Sequence, residues 1–213
     1  MAEEPVVFVV DDDQGARASV CALVRSMGLT AESFSSAEQF LQFYKGGHVG
    51  CVVTDVRMLG MSGLELQEQL SEMGSMLPVI VLTAYATTTL AVRAMQGGAV
   101  TMLDKPYHED ELWNAIRKAL SLDAQRRVEQ ARCQELRDRL NTLTDSERVV
   151  LDQVVAGKAN KVIARRLDVS IRTVENRRRD IYKKMQAESA VELVRLVIEA
   201  GVDIGEKQQE EEG

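Results

Sequence analysis

Short apolar or β-branched runs recur along the first half of the chain, at Val6–Val10, Thr30–Phe34, Cys51–Thr54, Val79–Leu82 and Val100–Leu103. Each is bounded by Gly, Pro, Ser or Asp, as strands are. Between them the period changes. In Ala16–Met27, the residues Val20, Leu23, Val24 and Met27 keep the i, i+3, i+4, i+7 spacing of an amphipathic helix. Ala37–Tyr44, Leu64–Met73 and Thr88–Met95 read as helices too. Strands alternating with helices predict a parallel sheet covered on both faces. Five such units in about 120 residues fit a small doubly wound α/β domain with strand order 2-1-3-4-5.

A fifth helix opens near His108 and meets no breaker until Asn141. Leu112, Ile116, Ala119 and Leu120 are placed to pack on the sheet. Beyond them the apolar positions thin to Ala124, Val128, Ala131, Leu136, Leu140 and Leu143 among five arginines. This narrow stripe predicts an interdomain connector or a short coiled-coil seam. The rest is helical in pattern. Thr144 or Asp145 caps a helix running to Ala156, stopped by Gly157. Ala159–Leu167, then Ile171–Met185 after a short Asp168-Val169-Ser170 turn, then Ala190–Ala200 follow. The expected organisation is a domain over 1–120, a helical linker over 121–141, an all-α domain over 142–204 and an acidic, disordered tail over 205–213.

Composition narrows the class. With 45% hydrophobic and 28% charged residues a core is available. No run approaches about 20 strongly apolar residues, so no transmembrane span is expected. The acidic start Met1-Ala2-Glu3-Glu4 argues against a secretory signal. Cys21, Cys51 and Cys133 sit at no metal-like spacing and predict reduced thiols in a cytoplasm. His48 and His108 are the only histidines, which leaves little for zinc or a histidine-based triad. The net charge of −7 hides a reversal: residues 1–120 hold 15 acids and 8 bases, residues 142–200 hold 9 acids and 12 bases. An acidic first part and a basic second part suggest two jobs, the second facing a polyanion.

Asp11-Asp12-Asp13 follow the first strand directly and Asp55 ends the third. In the 2-1-3-4-5 order those strands are neighbours, and their C-terminal ends flank the switch point. Carboxylates brought together there repel unless a cation intervenes, which suits a hard divalent ion such as Mg²⁺. Taken singly, strand-end acids read more readily as helix caps or solvated loop residues. The other strand ends change the picture: Thr83-Ala84 closes the fourth strand and Lys105-Pro106 the fifth. Acids, a hydroxyl and a lysine on one edge suit phosphoryl chemistry with an aspartate as acceptor.

The phrases VVDDD (9–13), VTDVRM (53–58), VLTA (81–84) and DKP (104–106) resemble the receiver domain of two-component response regulators. SAEQFL (36–41) and LAVRAMQGGAV (90–100) narrow the likeness to the FixJ branch of the FixJ/NarL family. The resemblance implies Asp55 as phosphoacceptor. It implies Asp11, Asp12, Asp55 and the Arg57 carbonyl around Mg²⁺, and Thr83 and Lys105 on the phosphoryl group. Asp13 has no family role and is expected to cap the first helix. Two positions depart from the pattern: Met102 stands where the family usually has an aromatic switch residue, and Leu59 where it usually has proline.

Ile171–Met185 carries Arg172, Arg177, Arg178, Arg179, Lys183 and Lys184, with Val174, Ile181 and Met185 as an apolar side. A short turn followed by a basic amphipathic helix fits a helix-turn-helix. Residues 143–185 resemble the LuxR-type helix-turn-helix. That resemblance implies Glu175, Asn176 and Arg179 facing bases, and Asn160, Lys161, Ser170, Arg172, Thr173, Arg177 and Lys183 at phosphates. It also implies a dimer-forming last helix with Val191, Val194 and Val197 or Ile198 in its seam. The reading is a cytoplasmic, non-enzymatic transcription regulator with no membrane attachment. Its expected partners are a histidine kinase, double-stranded promoter DNA and a second copy on phosphorylation, with RNA polymerase a further candidate. Two alternatives remain open: a phosphorylation-independent DNA-binding regulator with a degenerate receiver, and a phosphotransfer enzyme of the haloacid-dehalogenase type. The second lacks its last motif element in Asp11-Asp12-Asp13-Gln14-Gly15.

Overall fold

A computed structural model of the chain describes residues 4–201, so the expected acidic tail lies outside the described residues. The chain divides into two compact units, Met1–Arg127 and Val128–Gly213. The first contains β1 (Val6–Val10), α1 (Gln14–Ser26), β2 (Thr30–Phe34), α2 (Ala37–Phe43), β3 (Gly50–Asp55), α3 (Gly63–Glu72), β4 (Val79–Thr83), α4 (Thr88–Gln96), β5 (Thr101–Asp104) and the start of α5 (Glu109–Asn141). Its sheet is parallel throughout, in the order β2-β1-β3-β4-β5.

Alternate side chains of each strand enter separate cores. Val7, Val9, Cys51, Val53, Ile80 and Leu82 pack with Val20 and Val24 of α1 and with Leu112, Ile116 and Ala119 of α5. Phe8, Val10, Val52, Val79 and Val81 pack with Phe40 of α2, Leu66 and Leu70 of α3 and Ala94 of α4. Burial on both faces is why these strands read as unbroken apolar runs. The runs understate the strands at their polar ends, because Asp55, Thr83 and Asp104 each extend one. Gly50, which starts β3, has φ +143° and no room for a side chain, since a Cβ there would lie 1.8 Å from the Val6 carbonyl oxygen. The first helix begins at Gln14, earlier than its apolar stripe, because Asp13 caps it by accepting from the Ala16 amide at 2.6 Å.

The second unit holds the rest of α5, then α6 (Asp145–Val155), α7 (Asn160–Arg166), α8 (Ile171–Met185) and α9 (Ala190–Glu199). Leu136 and Leu140 of α5 join Leu143, Val150, Leu151, Ile163, Val174, Ile181, Met185 and Leu193 in one core. Thr144, not Asp145, is the cap of α6, in a reciprocal box with Glu147. Gly157 leaves α6 at φ +73°, a left-handed stop that glycine takes without strain.

One expectation needs correction and one alternative narrows. The stripe imagined along the connector is not one surface: Leu136 and Leu140 are buried, whereas Ala124, Val128 and Ala131 are exposed. In α9, Val197 is only 2% exposed and belongs to the core, so an outward seam would comprise Val191, Val194 and Ile198.

Candidate functional site

The C-terminal edge of the sheet gathers the predicted acids and lysine. Pairing of β1 with β3 aligns Val10 with Thr54, so Asp11 and Asp55 leave neighbouring strands side by side. Both are buried, at 3% and 8% exposure. Two buried carboxylates need a compensating charge. Lys105 supplies it, with Nζ 2.9 Å from Asp11 Oδ2 and 2.6 Å from Asp55 Oδ1. Burial works against the Lys105 ammonium, but the hydrogen bonds to Asp55 and then Asp11, with their charges, outweigh it and raise the lysine above its ordinary value. Thr83 lies on the other side of β3, 1% exposed, and its main-chain oxygen accepts from the Lys105 amide at 2.6 Å. The Asp55 Oδ2 accepts from the Arg57 amide at 2.6 Å. Behind Asp55 stands Gly63, where a Cβ would come within 2.1 Å of the Asp55 carbonyl oxygen.

The donor set suits a hard divalent cation: carboxylates of Asp11, Asp12 and Asp55, with a main-chain oxygen at Arg57, all at the ends of two adjacent strands. Lys105, bridging Asp11 and Asp55, stands where positive charge is needed. The acids are not already gathered as a cage, however. Among the described residues no group of three or more His, Cys, Asp or Glu side chains stands close enough to share an ion. Lys105 takes an oxygen of Asp11 and one of Asp55, while Asp12 Oδ2 accepts from the Leu59 amide at 2.9 Å. That bond bears on the second departure from the family pattern. Proline at position 59 would have no N–H to offer.

Met102 is partly buried against the core shared by α2, α3 and α4, opposite Val81 in the β4–β5 ladder. The Thr83 hydroxyl accepts from the Tyr85 amide at 3.2 Å. Tyr85 itself is 66% exposed, and the Arg57 guanidinium lies over its ring, 5.1 Å from the centroid. Sequence reasoning gave Arg57 only a main-chain part and passed over Tyr85. The available signal was their matching place, each two residues beyond a strand-end site residue.

In the second unit α8 is amphipathic. Arg172, Glu175, Asn176, Arg179 and Lys183 are exposed, at spacings that put them on one side, and Val174, Ile181 and Met185 are buried on the other. Lys161 and Ser170 are exposed; Asn160, Thr173 and Arg177 are half-buried. Ser170 caps α8, accepting from the Thr173 amide at 3.0 Å, and its hydroxyl meets the Thr173 hydroxyl at 2.8 Å. Asp168, at φ +51°, turns the chain between α7 and α8. Two of the six bases are held by hydrogen bonds within the unit, and Arg179 makes only a long, exposed ion pair with Asp180 at 4.0 Å. Lys184 Nζ donates to Glu147 at 2.7 Å and to the Thr142 carbonyl at 3.0 Å, and Arg178 bonds Asn160 and Tyr182.

Comparisons with known proteins agree on both units. Residues 7–117 match the response regulator receiver domain, and residues 141–197 match the bacterial regulatory proteins of the luxR family. The transcriptional regulatory protein FixJ of Azorhizobium caulinodans is 43% identical over 203 residues, covering 95% of this chain and 96% of that one. The response regulator protein TodT of Pseudomonas putida is 41% identical over 191 residues, covering 90% and 84%. Among solved structures, the response regulator StyR matches at a TM-score of 0.79 with 39% identity, covering 92% of this chain and 99% of that one. Full-length FixJ from B. japonicum matches at 0.58 with 38% identity, covering 94% and 98%. This chain therefore belongs to the response regulators that join a receiver domain to a luxR-family DNA-binding domain, and it is a phosphorylation-regulated transcription regulator of a two-component system.

Proposed function

We propose that Asp55 accepts a phosphoryl group from a histidine kinase and that the change so produced drives dimerisation on promoter DNA. The observation that carries this reading is Lys105 bridging Asp11 and Asp55 at the edge of the sheet. One oxygen of the Asp55 carboxylate attacks phosphorus, the bond from phosphorus to the donor nitrogen breaks, and the donor histidine leaves as imidazole. Mg²⁺, which receiver domains generally bind at this site, would be held by Asp11, Asp12, Asp55 and the Arg57 carbonyl and would neutralise phosphoryl oxygens. Lys105, released from its bridge, is placed to pair with the new negative charge. Thr83 offers a hydroxyl from the adjacent strand end. Met102 has no ring to swing, but its unbranched side chain permits two packings, so the switch works through a softer element.

On the output side, Glu175, Asn176 and Arg179 are proposed to face bases. Asn160, Lys161, Ser170, Arg172, Thr173, Arg177 and Lys183 are proposed to hold phosphates. The exposed faces of α7 and α8 support this assignment. The domain boundaries we propose are 1–120, 121–141 and 142–204, and the distal leucines of α5, Leu136 and Leu140, contribute to the second core. No helix among the described residues is long and apolar enough to cross a membrane.

The test is intact-mass measurement after incubation with Mg²⁺ and acetyl phosphate. The wild-type chain gains one phosphoryl group and Asp55→Asn gains none. A phosphoryl group retained on Asp55→Asn overturns the acceptor assignment.

A further inference from the structure

Six bases on α8 suggest one shared role, yet they divide by position. Val174, Ile181 and Met185 mark the buried side of the helix, and Arg178 falls on that same side, four residues after Val174 and three before Ile181. It is half-buried and committed in two directions. Its Nη1 donates to Asn160 Oδ1 at 2.8 Å, and its Nη2 donates to the Tyr182 hydroxyl at 3.1 Å. The guanidinium carbon also lies 5.8 Å from the centre of the Tyr182 ring. Arg179, the next residue, has a side chain 74% exposed.

Asn160 opens α7, whose preceding residue Ala159 makes no side-chain cap. A guanidinium has donors and no acceptor, so contact with Arg178 fixes the oxygen end of the Asn160 amide toward it. The capacity remaining on the other end of that amide is two N–H donors, the kind of group that holds a DNA phosphate oxygen.

We propose that Arg178 is a positioning residue of the DNA-binding face, which does not touch DNA but holds Asn160 with its amide donors toward a phosphate and ties the start of α7 to the middle of α8. The proposal rests on the assignment of α7 and α8 to DNA made above. It has a consequence that separates Arg178 from its neighbours. An arginine on a phosphate releases counterions when it binds and so contributes to salt dependence, whereas a neutral amide held in place by an internally bonded arginine does not.

The experiment is fluorescence anisotropy of the full-length chain on a labelled mixed-sequence duplex of about 30 base pairs, across a salt series. Arg178→Ala weakens binding roughly tenfold with the wild-type salt slope, and Asn160→Ala weakens it similarly. The double variant is no worse than either single one, because both remove the same contact. Asn160→Asp keeps an acceptor for Arg178, and with it the melting temperature, but sets a carboxylate against phosphate. It binds more weakly than Asn160→Ala. A salt slope lowered by about one unit in Arg178→Ala, with losses that add to those of Asn160→Ala, means that Arg178 itself grips a phosphate and overturns the proposal. A lower melting temperature with unchanged affinity overturns it as well, leaving Arg178 a brace. If Arg178→Ala does not fold, Asn160→Asp decides: wild-type affinity in that variant overturns the proposal. Failure of the underlying reading is separate, since Arg179→Ala and Lys183→Ala would then both leave affinity and slope unchanged, and the proposal falls with it.

Discussion

Asp11 and Asp55 leave adjacent strands with their carboxylates buried, and Lys105 lies between them within hydrogen-bonding distance of both. Such a pair is stable only while a cation is present, and in this structure Lys105 is that cation. Asp12 is differently placed, because the Leu59 amide holds one of its oxygens. A divalent ion that recruits Asp12 competes with that bond. Leu59 is 82% exposed, so replacing it removes nothing from the core. Leu59→Pro deletes the donor and raises Mg²⁺ affinity roughly two- to tenfold, measured by calorimetric titration of the unphosphorylated chain. Unchanged affinity would show that the amide does not compete. At the other end of the chain, Lys184 and the Thr144 amide hold Glu147 below the ordinary carboxylate value. The sign follows from linkage: a depressed folded value stabilises above the unfolded glutamate value of about 4.3, and the stabilisation is lost as pH falls through the folded value. Glu147→Gln is therefore less stable than wild type at about pH 7, and the melting-temperature difference shrinks toward zero at about pH 3. A difference independent of pH would mean that the charge plays no part. Burial, and next the Asp123 charge, push the Cys51 thiol up to about 12, so it stays protonated and inert.

At the scale of elements, legibility followed burial. Strands covered on both faces read as apolar runs, and helices with one buried side showed their period. Asp55, Thr83 and Asp104 lie outside the apolar runs because a polar residue at a strand end carries no apolar signal, and Asp55 and Thr83 were legible only as strand-end chemistry. The acids and lysine were legible as chemistry because all sit at strand ends, whose neighbours the sheet order fixes. What they bond was not, since hydrogen bonds such as Leu59 to Asp12 depend on loop geometry. The long helix was legible at its start, where Leu112, Ile116 and Ala119 pack on the sheet as expected, and misled only beyond Ala124, for a physical reason. Its apolar residues serve two cores: Leu112, Ile116 and Ala119 pack in the first unit, and Leu136 and Leu140 in the second. No single stripe therefore runs its length. Between them Asp123, 1% exposed, accepts from the Gly50 amide at 3.0 Å and from Arg127 Nε at 2.9 Å. Arg127 also donates to the carbonyls of Gly47 and His48. Asp123→Ala strips the Gly50 amide of its partner and costs about 1–3 kcal/mol, read as a lower urea midpoint. An unchanged midpoint would mean that water replaces the carboxylate at no cost. The bases of α8 show the limit of charge counting, because Arg178 and Lys184 are spent on internal bonds while Arg172, Arg179 and Lys183 face outward.

For the whole molecule, the acidic first half and the basic 142–200 segment match two separate tasks, phosphoryl acceptance and DNA binding. One helix, α5, belongs to both units, with the division falling at Arg127 and Val128. Phosphorylation regulates only if the two states of the receiver differ in their affinity for the phosphoryl group, and the same coupling then appears as a change in output. The measurement that tests this most directly is DNA affinity of the full-length chain with Mg²⁺, with and without beryllofluoride, in the wild type and in Asp55→Asn. The account predicts tighter binding on beryllofluoride in the wild type, accompanied by dimer formation, and no response in Asp55→Asn. Equal affinity with and without beryllofluoride in the wild type would contradict it and place the chain among regulators that bind DNA regardless of phosphorylation.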